Sequence, residues 1–94
     1  MSATIQTVLA EIIAERERQI AKWGEGQALT PMEYLAIIGE EYGEVCRAVH
    51  DAYFAAQYPQ INATPGDYSQ YKTELIQLAT VCVAAIQSLI KSKL

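Results

Sequence analysis

The sequence predicts an all-α fold, a helical bundle of three main helices in a single domain that spans residues 1–94. Apolar residues recur at helical spacing in three separate segments. Each segment begins or ends at residues that favour helix boundaries. A chain of 94 residues suffices for one domain and leaves little for a second. A domain of this size buries only a modest core, so we expect oligomerisation to complete a four-helix-type core.

The first predicted helix runs from about Thr4 to Lys22. Its apolar residues lie three or four positions apart on one stripe, which consists of Ile5, Val8, Leu9, Ile12, Ile20 and Trp23. Gly24 and Gly26 follow and supply the backbone freedom that a helix end requires. Arg16 and Gln19 continue the stripe near its carboxyl end, where polar side chains replace apolar ones. We therefore expect this half of the helix to line a wet, anionic pocket.

The second predicted helix begins at a capping box. In Thr30-Pro31-Met32-Glu33, a hydroxyl stands at the N-cap, proline at the first helical position and glutamate where it can close the box. The helix continues to about Ala56. Gly39 and Gly43 lie on the side away from Glu41 and cost about 1 kcal/mol each relative to alanine. We interpret these glycines as a place of close backbone packing.

The third predicted helix runs from about Tyr68 to Lys91, after a loop from Gln57 to Ser69 that is rich in turn-forming residues. Asp67 or Ser69 is the expected cap. The apolar residues of this helix cover more than one face, since Leu75, Ile76, Val83, Ile86 and Ile90 lie away from the Glu74 side. A helix that is apolar nearly all round must be buried nearly all round. A second subunit is the expected cover.

Composition excludes several classes of function. The formal net charge of −4 argues against nucleic acid held by a basic patch. Cys46 and Cys82 lack CxxC spacing, so we expect reduced residues in or near the core. No apolar run approaches the roughly 18 residues of a membrane span, and the first residues lack the basic region of a signal peptide. We expect a cytoplasmic protein without a nucleic-acid or membrane partner.

Glu41 and Glu74 each lie at the centre of an apolar helix face. The apolar residues around Glu41 are Tyr34, Ile37, Ile38, Val45, Ala48 and Ala52. The apolar residues around Glu74 are Tyr71, Leu78, Val81, Ala85 and Leu89. A carboxylate is almost never buried alone, because losing its hydration costs several kcal/mol. Glu44 and Gln77 follow one turn later on the same side. Two antiparallel helices would bring these pairs together around Mg²⁺ or Mn²⁺, cations that oxygen ligands suit.

Three strings carry a family resemblance. They are Glu15-Arg16-Glu17-Arg18-Gln19 with Lys22-Trp23-Gly24, then Glu40-Glu41-Tyr42-Gly43-Glu44-Val45, then Glu74-Leu75-Ile76-Gln77-Leu78-Ala79. Over residues 15–89 the chain resembles the MazG-like family of all-α nucleoside triphosphate pyrophosphohydrolases. The resemblance implies Mg²⁺-dependent cleavage of a nucleoside triphosphate to the monophosphate and pyrophosphate, by dimers or tetramers. It implies that Glu41, Glu44 and Glu74 hold the metal, with Gln77 where the family pattern has aspartate.

The same interpretation assigns the remaining site residues. Glu40 or Glu44 would activate the attacking water. Arg16 would contact a phosphate, and Gln19 and Trp23 would complete the nucleotide site. Gln77 offers a carbonyl oxygen without charge, so we expect weaker metal binding than aspartate would give. Asp51, two turns beyond Glu44, either compensates in part or is simply solvated.

Other interpretations stay open. Glu40 is as readily a surface carboxylate as a metal ligand. A tryptophan at position 23 is more often a core anchor than a platform for a base, and His50 is expected to be exposed. With Gln77 in place of aspartate, the chain would alternatively be a catalytically weak or inactive nucleotide-binding or regulatory module. It would alternatively be a structural bundle whose glutamates pair with Arg16 and Lys72. No GxxxxGK[ST] loop is present, which excludes a P-loop enzyme.

Overall fold

The computed structural model describes residues 3–24 and 29–92, and all regular structure in these ranges is helical. The helices are α1 (Ala3–Trp23), α2 (Pro31–Phe54) and α3 (Ser69–Ser92). Each agrees with its predicted counterpart to within one turn. The all-α prediction is therefore confirmed, with three helices packed together. The four-helix-type core that oligomerisation would complete stays a prediction.

Helix α3 lies between the other two helices. It packs against α2 and against α1, whereas within the described ranges no Cα atom of α1 lies within 8 Å of one in α2. The flanking helices therefore leave an open cleft between them, and Val81 and Ala84 of α3 line its floor. This cleft positions the polar residues that the sequence singles out.

Local capping explains where the helices begin and end. Thr30 Oγ1 accepts from the Glu33 backbone N–H at 3.2 Å, and the Thr30 N–H donates to Glu33 Oε1 at 2.9 Å, so the capping box is confirmed. Helix α1 ends at Trp23, just before Gly24. The φ of 86° at Gly24 and the 2.8 Å hydrogen bond from its N–H to the Ile20 carbonyl are typical of a glycine stop. Gly26 lies outside the described residues. At the start of α3, Asp67 Oδ1 accepts from the Ser69 N–H at 3.0 Å.

The core lies between α2 and α3. Its buried apolar residues are Tyr34, Val45, Ala52, Val81 and Ala84. Thr80 is fully buried among them, and its hydroxyl donates to the Ile76 carbonyl at 2.7 Å, which satisfies it. Tyr34, Val45 and Ala52 confirm part of the face predicted around Glu41. Of the face predicted around Glu74, Val81 is buried, whereas Leu89 is exposed. By contrast, much of the α1 stripe is exposed, including Ile5, Val8, Leu9 and Trp23.

Three packing predictions are wrong. A Cβ atom added at Gly39 or Gly43 would meet nothing within 4 Å in the described part of the chain, so neither glycine marks a close contact. Both cysteines are free as expected, but Cys46 is exposed and only Cys82 is partly buried. Trp23 is 59% exposed and is no core anchor. In each case the neighbouring helix that would cover the residue lies elsewhere.

The third helix also corrects the prediction that no segment could span a membrane. Over Ser69–Lys91 it is long and apolar enough to do so by length and composition, with a mean hydropathy of 1.6. A core helix of a soluble protein meets the same criterion, so composition alone does not place α3 in a bilayer. Only 22% of the apolar stretch of this helix is buried, and Ile86, Leu89 and Ile90 are exposed. The second subunit expected to cover them, and the cytoplasmic location, stay predictions.

Candidate functional site

Two glutamates lie where α2 packs on α3, Glu74 buried and Glu41 half-buried. Glu74 is 6% exposed, and its Oε1 accepts from Gln70 Nε2, one turn earlier, at 2.7 Å. Glu74 Oε2 and Glu41 Oε2 are both buried and have no hydrogen-bond partner among the described residues. A buried carboxylate oxygen without a partner is costly. A cation beside either oxygen would offset this cost.

Carboxylates of all three helices act on Glu41. Burial raises the pKa of the Glu41 carboxyl, and the charges of Glu44, Glu74, Glu40 and Glu15 raise it further. Such charge effects weaken with distance, so these groups lie near one another. Glu41 therefore lies in a strongly acidic neighbourhood, to which Glu74 contributes its charge across the α2–α3 contact.

Glu41 also faces the cleft between α1 and α2. The cleft has a volume of about 360 Å³ and is lined by Arg16, Gln19, Trp23, Gly24, Leu29, Tyr34, Ile37, Glu41, Val81 and Ala84. Arg16 Nε donates to Gln87 Oε1 at 2.7 Å, which fixes the guanidinium over α3. Trp23 lies at the open rim, with Lys22 Nζ 4.8 Å from its ring centre. The three residues predicted to bind substrate thus share one cleft with Glu41.

Glu44 lines a different space. We call it the Glu44–Glu74 cavity; its volume is about 230 Å³ and its walls are Glu44, Arg47, Ala48, Asp51, Gln70 and Glu74. Glu44 itself is exposed, as is Glu40. Glu74 therefore shares a cavity with Glu44 while its charge acts on Glu41.

Gln77 is placed away from the other predicted ligands. It lines a third cavity of about 350 Å³ together with Glu11, Glu15, Ser69, Lys72, Thr73 and Ile76. Residues three apart on a helix differ by about 60° around its axis, and α1 packs against α3 on this side. The predicted grouping of Gln77 with Glu41, Glu44 and Glu74 in one pocket is not found.

Two α1 carboxylates near this third cavity were missed by the sequence reasoning. Glu11 Oε2 is buried without a partner, while Glu11 Oε1 accepts from Lys72 at 3.1 Å. Glu15 accepts from Arg18 Nε at 2.9 Å, and this pairing lowers the pKa of the Glu15 carboxyl. Their spacing of four residues, which places both on one face of α1, was the available signal.

The interpretation of the buried glutamates as simple ion pairs is not supported by these contacts. Arg16 binds Gln87, and Lys72 binds Glu11. In residues 3–24 and 29–92, neither Glu41 nor Glu74 forms an ion pair. The two cations proposed as structural partners are therefore engaged elsewhere.

The donor atoms suit a hard divalent cation, although the ligand set is incomplete in this conformation. Carboxylate oxygens are preferred by Mg²⁺ and Mn²⁺, and Glu41 and Glu74 each present an unpaired one. Across the described ranges, no three His, Cys, Asp or Glu side chains are arranged around a single point as metal ligands. Glu44, the third predicted ligand, is exposed.

Comparison with known proteins gives no match to a protein-family model, to a curated protein or to a solved structure. The likeness to the MazG-like family therefore depends on the residues quoted above.

Proposed function

We propose that the protein is a Mg²⁺-dependent nucleotide pyrophosphohydrolase of the MazG-like kind, which cleaves a nucleoside triphosphate to the monophosphate and pyrophosphate. The observation that carries the proposal is the pair of buried, unpaired carboxylate oxygens on Glu41 and Glu74. Glu41 lies in the same cleft as Arg16 and Trp23. One acidic ligand for a cation, Glu41, thus shares a cleft with a basic group for a phosphate and an aromatic ring for a base.

In this proposal, Glu41, Glu44 and Glu74 hold Mg²⁺, for which Mn²⁺ can substitute. The bound ion would neutralise charge on the leaving pyrophosphate and lower the pKa of a water. Gln77, whose side chain faces Glu11 and Glu15, acts only through a water or not at all. The carboxylates that repel one another around Glu41 would then be compensated by the cation.

The other residues of the cleft orient the nucleotide and move one proton. Arg16, fixed by Gln87, donates to phosphate oxygens, a charge-assisted contact. Gln19 and Trp23 contact the nucleoside. Glu40 or Glu44 accepts a proton from water as the water oxygen bonds to the α-phosphorus. The bond from that phosphorus to the α–β bridging oxygen breaks, and pyrophosphate leaves with the electron pair.

Release of pyrophosphate from a panel of nucleoside triphosphates tests this proposal. We expect release that requires Mg²⁺ and is abolished in Glu41→Gln and Glu74→Gln variants. Glu17→Gln is the matched control, because Glu17 is exposed on α1. Absence of release from every nucleotide, with folded wild-type protein, would contradict catalysis.

A second candidate function is a catalytically weak or inactive nucleotide-binding or regulatory module. It is favoured by the uncharged Gln77 and by the incomplete ligand set in the described residues. Calorimetric titration with nucleotides separates the two functions. Binding of a triphosphate without any release of pyrophosphate would establish this second function in place of the first.

We also propose that the chain forms a homodimer or homotetramer. The support is the apolar surface that one copy leaves exposed, notably Ile5 and Ile13 on α1 and Ile86 and Ile90 on α3. Sedimentation velocity across a range of protein concentrations would measure the assembly. A strictly monomeric protein at every concentration would contradict it.

A further inference from the structure

The guanidinium of Arg16 is held by an uncharged partner. Its Nε donates to Oε1 of Gln87 at 2.7 Å, a hydrogen bond that joins α1 to α3. Arg18, two residues later on α1, differs because its Nε and Nη2 both donate to the Glu15 carboxylate. A carboxylate neutralises the arginine that it binds, whereas an amide oxygen holds the side chain and leaves its charge available. Arg16 is therefore fixed in place without being neutralised.

The remaining donors of Arg16 are unused. Arginine carries five N–H donors, and four of them are on the two Nη atoms. Across residues 3–24 and 29–92, Arg16 forms no ion pair, and its one hydrogen bond is the bond to Gln87. In the same ranges, the buried side-chain atoms without a partner are all carboxylate oxygens, so the Nη atoms are accessible. Because Arg16 lines the cleft between α1 and α2, the end of its guanidinium is available to a ligand there.

Gln87 acts on this cleft from outside it. Arg16 and Glu41 are among the described residues that line the cleft, and Gln87 is not. Gln87 lies one turn beyond Ala84, which lines the cleft floor. Arg16 and Glu41 share the cleft, yet they form no ion pair in the described part of the chain. An arginine released from Gln87 would have this carboxylate to pair with, and both groups would then be lost to a ligand.

We propose that Gln87 is a positioning residue of the phosphate site. By accepting from Nε, it directs the two Nη groups of Arg16 toward the phosphate chain of a nucleoside triphosphate, since a pair of parallel N–H donors matches two phosphate oxygens. The same bond keeps Arg16 from neutralising Glu41. The inference rests on the proposed function, in which Arg16 binds phosphate, and it adds a residue that the three sequence strings do not include.

Calorimetric titration of the full chain with inorganic tripolyphosphate and Mg²⁺ tests the inference. This probe carries the phosphate chain common to all nucleoside triphosphates and lacks a base. We expect Gln87→Leu to raise the Kd about fivefold or more, a factor typical of one lost hydrogen bond. Gln87→Glu keeps an acceptor for Nε and the bond between α1 and α3, but its charge neutralises Arg16. We expect Gln87→Glu to weaken binding at least as much as Gln87→Leu does.

A double-mutant cycle measures whether Gln87 acts through Arg16. In an Arg16→Gln background, Gln87→Leu should change the Kd by less than about twofold, because the residue through which it acts is already gone. Lys72→Met is the matched control. Lys72 also joins α3 to α1, through Glu11 at 3.1 Å, but it lines another cavity. Its loss should leave the Kd within about twofold of wild type.

The outcomes separate the possible failures. Wild-type protein that binds no tripolyphosphate, or an Arg16→Gln variant that binds it as wild type does, would overturn the phosphate site of the proposed function and the inference together. Weaker binding in Arg16→Gln with unchanged affinity in Gln87→Leu would overturn the inference alone. An equal loss in Lys72→Met would also overturn it, because any bond between α1 and α3 would then suffice. Circular dichroism verifies the fold of each variant, and Gln87→Glu carries the test if Gln87→Leu is unfolded.

Discussion

Without Mg²⁺, we expect the Glu74→Gln variant to be more stable than wild type. With Mg²⁺, we expect wild type to be the more stable of the two. Glutamine keeps the shape of the side chain and an Oε1 that can accept from Gln70, as Glu74 Oε1 does at 2.7 Å. The change falls on the buried atom that has no partner, Oε2. Glutamine removes the charge there and leaves a neutral polar group.

The magnitude in the absence of metal follows from this burial. An unsatisfied buried polar group costs about 1–3 kcal/mol, and a charged one costs more. Glutamine removes the extra cost of burying a charge but still buries a polar group. We therefore expect the free energy of unfolding to rise by about 1 kcal/mol in EDTA. For a domain of this size, that corresponds to a Tm higher by about 4–8 °C.

Magnesium should stabilise wild type and not the variant. At ten times its Kd, a ligand that binds only the folded state adds about 1.4 kcal/mol. The wild-type Tm should therefore rise by about 6–11 °C, whereas Glu74→Gln stays nearly unchanged.

Thermal unfolding followed by circular dichroism, at fixed protein concentration with EDTA or with a Mg²⁺ titration, measures both effects. Glu17→Gln, on the exposed side of α1, is the control and should respond to Mg²⁺ as wild type does. A Glu74→Gln variant that is less stable than wild type in EDTA, or that gains as much from Mg²⁺, would refute the reasoning.

Further predictions concern pH, capping and nucleotide binding. Burial and neighbouring carboxylates raise the pKa of Glu41 above its usual 4.5 in the folded protein, so its stabilising contribution is full below 4.5 and is lost as pH rises through the raised pKa. In EDTA, denaturant titrations across that window should show a smaller decline of unfolding free energy in Glu41→Gln than in wild type; equal slopes would contradict this. Thr30→Ala should lower the free energy of unfolding by about 1 kcal/mol through loss of the capping box, measured by urea denaturation against wild type. Arg16→Gln should weaken binding of a nucleoside triphosphate about tenfold or more, since hydrogen bonds to charged groups contribute about 1.5–3 kcal/mol; calorimetry should show little change for Arg18→Gln, whose partner is Glu15. Trp23, the one tryptophan of the chain, should change its fluorescence on nucleotide binding, and an unchanged spectrum at saturation would place the nucleotide elsewhere.

The elements of this fold that depend on local chemistry could be predicted from the sequence. The capping box at Thr30 and Glu33 involves residues three apart, and both of its hydrogen bonds are present. The stop at Gly24 follows from backbone freedom. The apolar faces that bury Val45 and Val81 follow from helical periodicity.

The features that depend on where α1 lies could not be predicted in this way. Periodicity indicates which face of a helix is apolar, but not which neighbour covers it. Trp23 is exposed because α1 and α2 stay apart, and Gln77 lines a cavity with Glu11 because α1 packs on that side of α3. The charge of Glu15 near Glu41 arises from the same packing. The pattern of residues along each helix predicts the candidate ligands. The arrangement of the three helices decides which of these ligands share a cavity.

A crystal structure of the protein grown with Mn²⁺, in which anomalous scattering identifies the ion, tests most directly whether the acidic residues of α2 and α3 hold a metal. We predict an ion bound by carboxylate oxygens of Glu41 and Glu74, at metal–oxygen distances close to the roughly 2.0–2.1 Å that Mg²⁺ adopts. A map without an anomalous peak there, with both carboxylates turned into solvent or paired with basic side chains, would contradict the account.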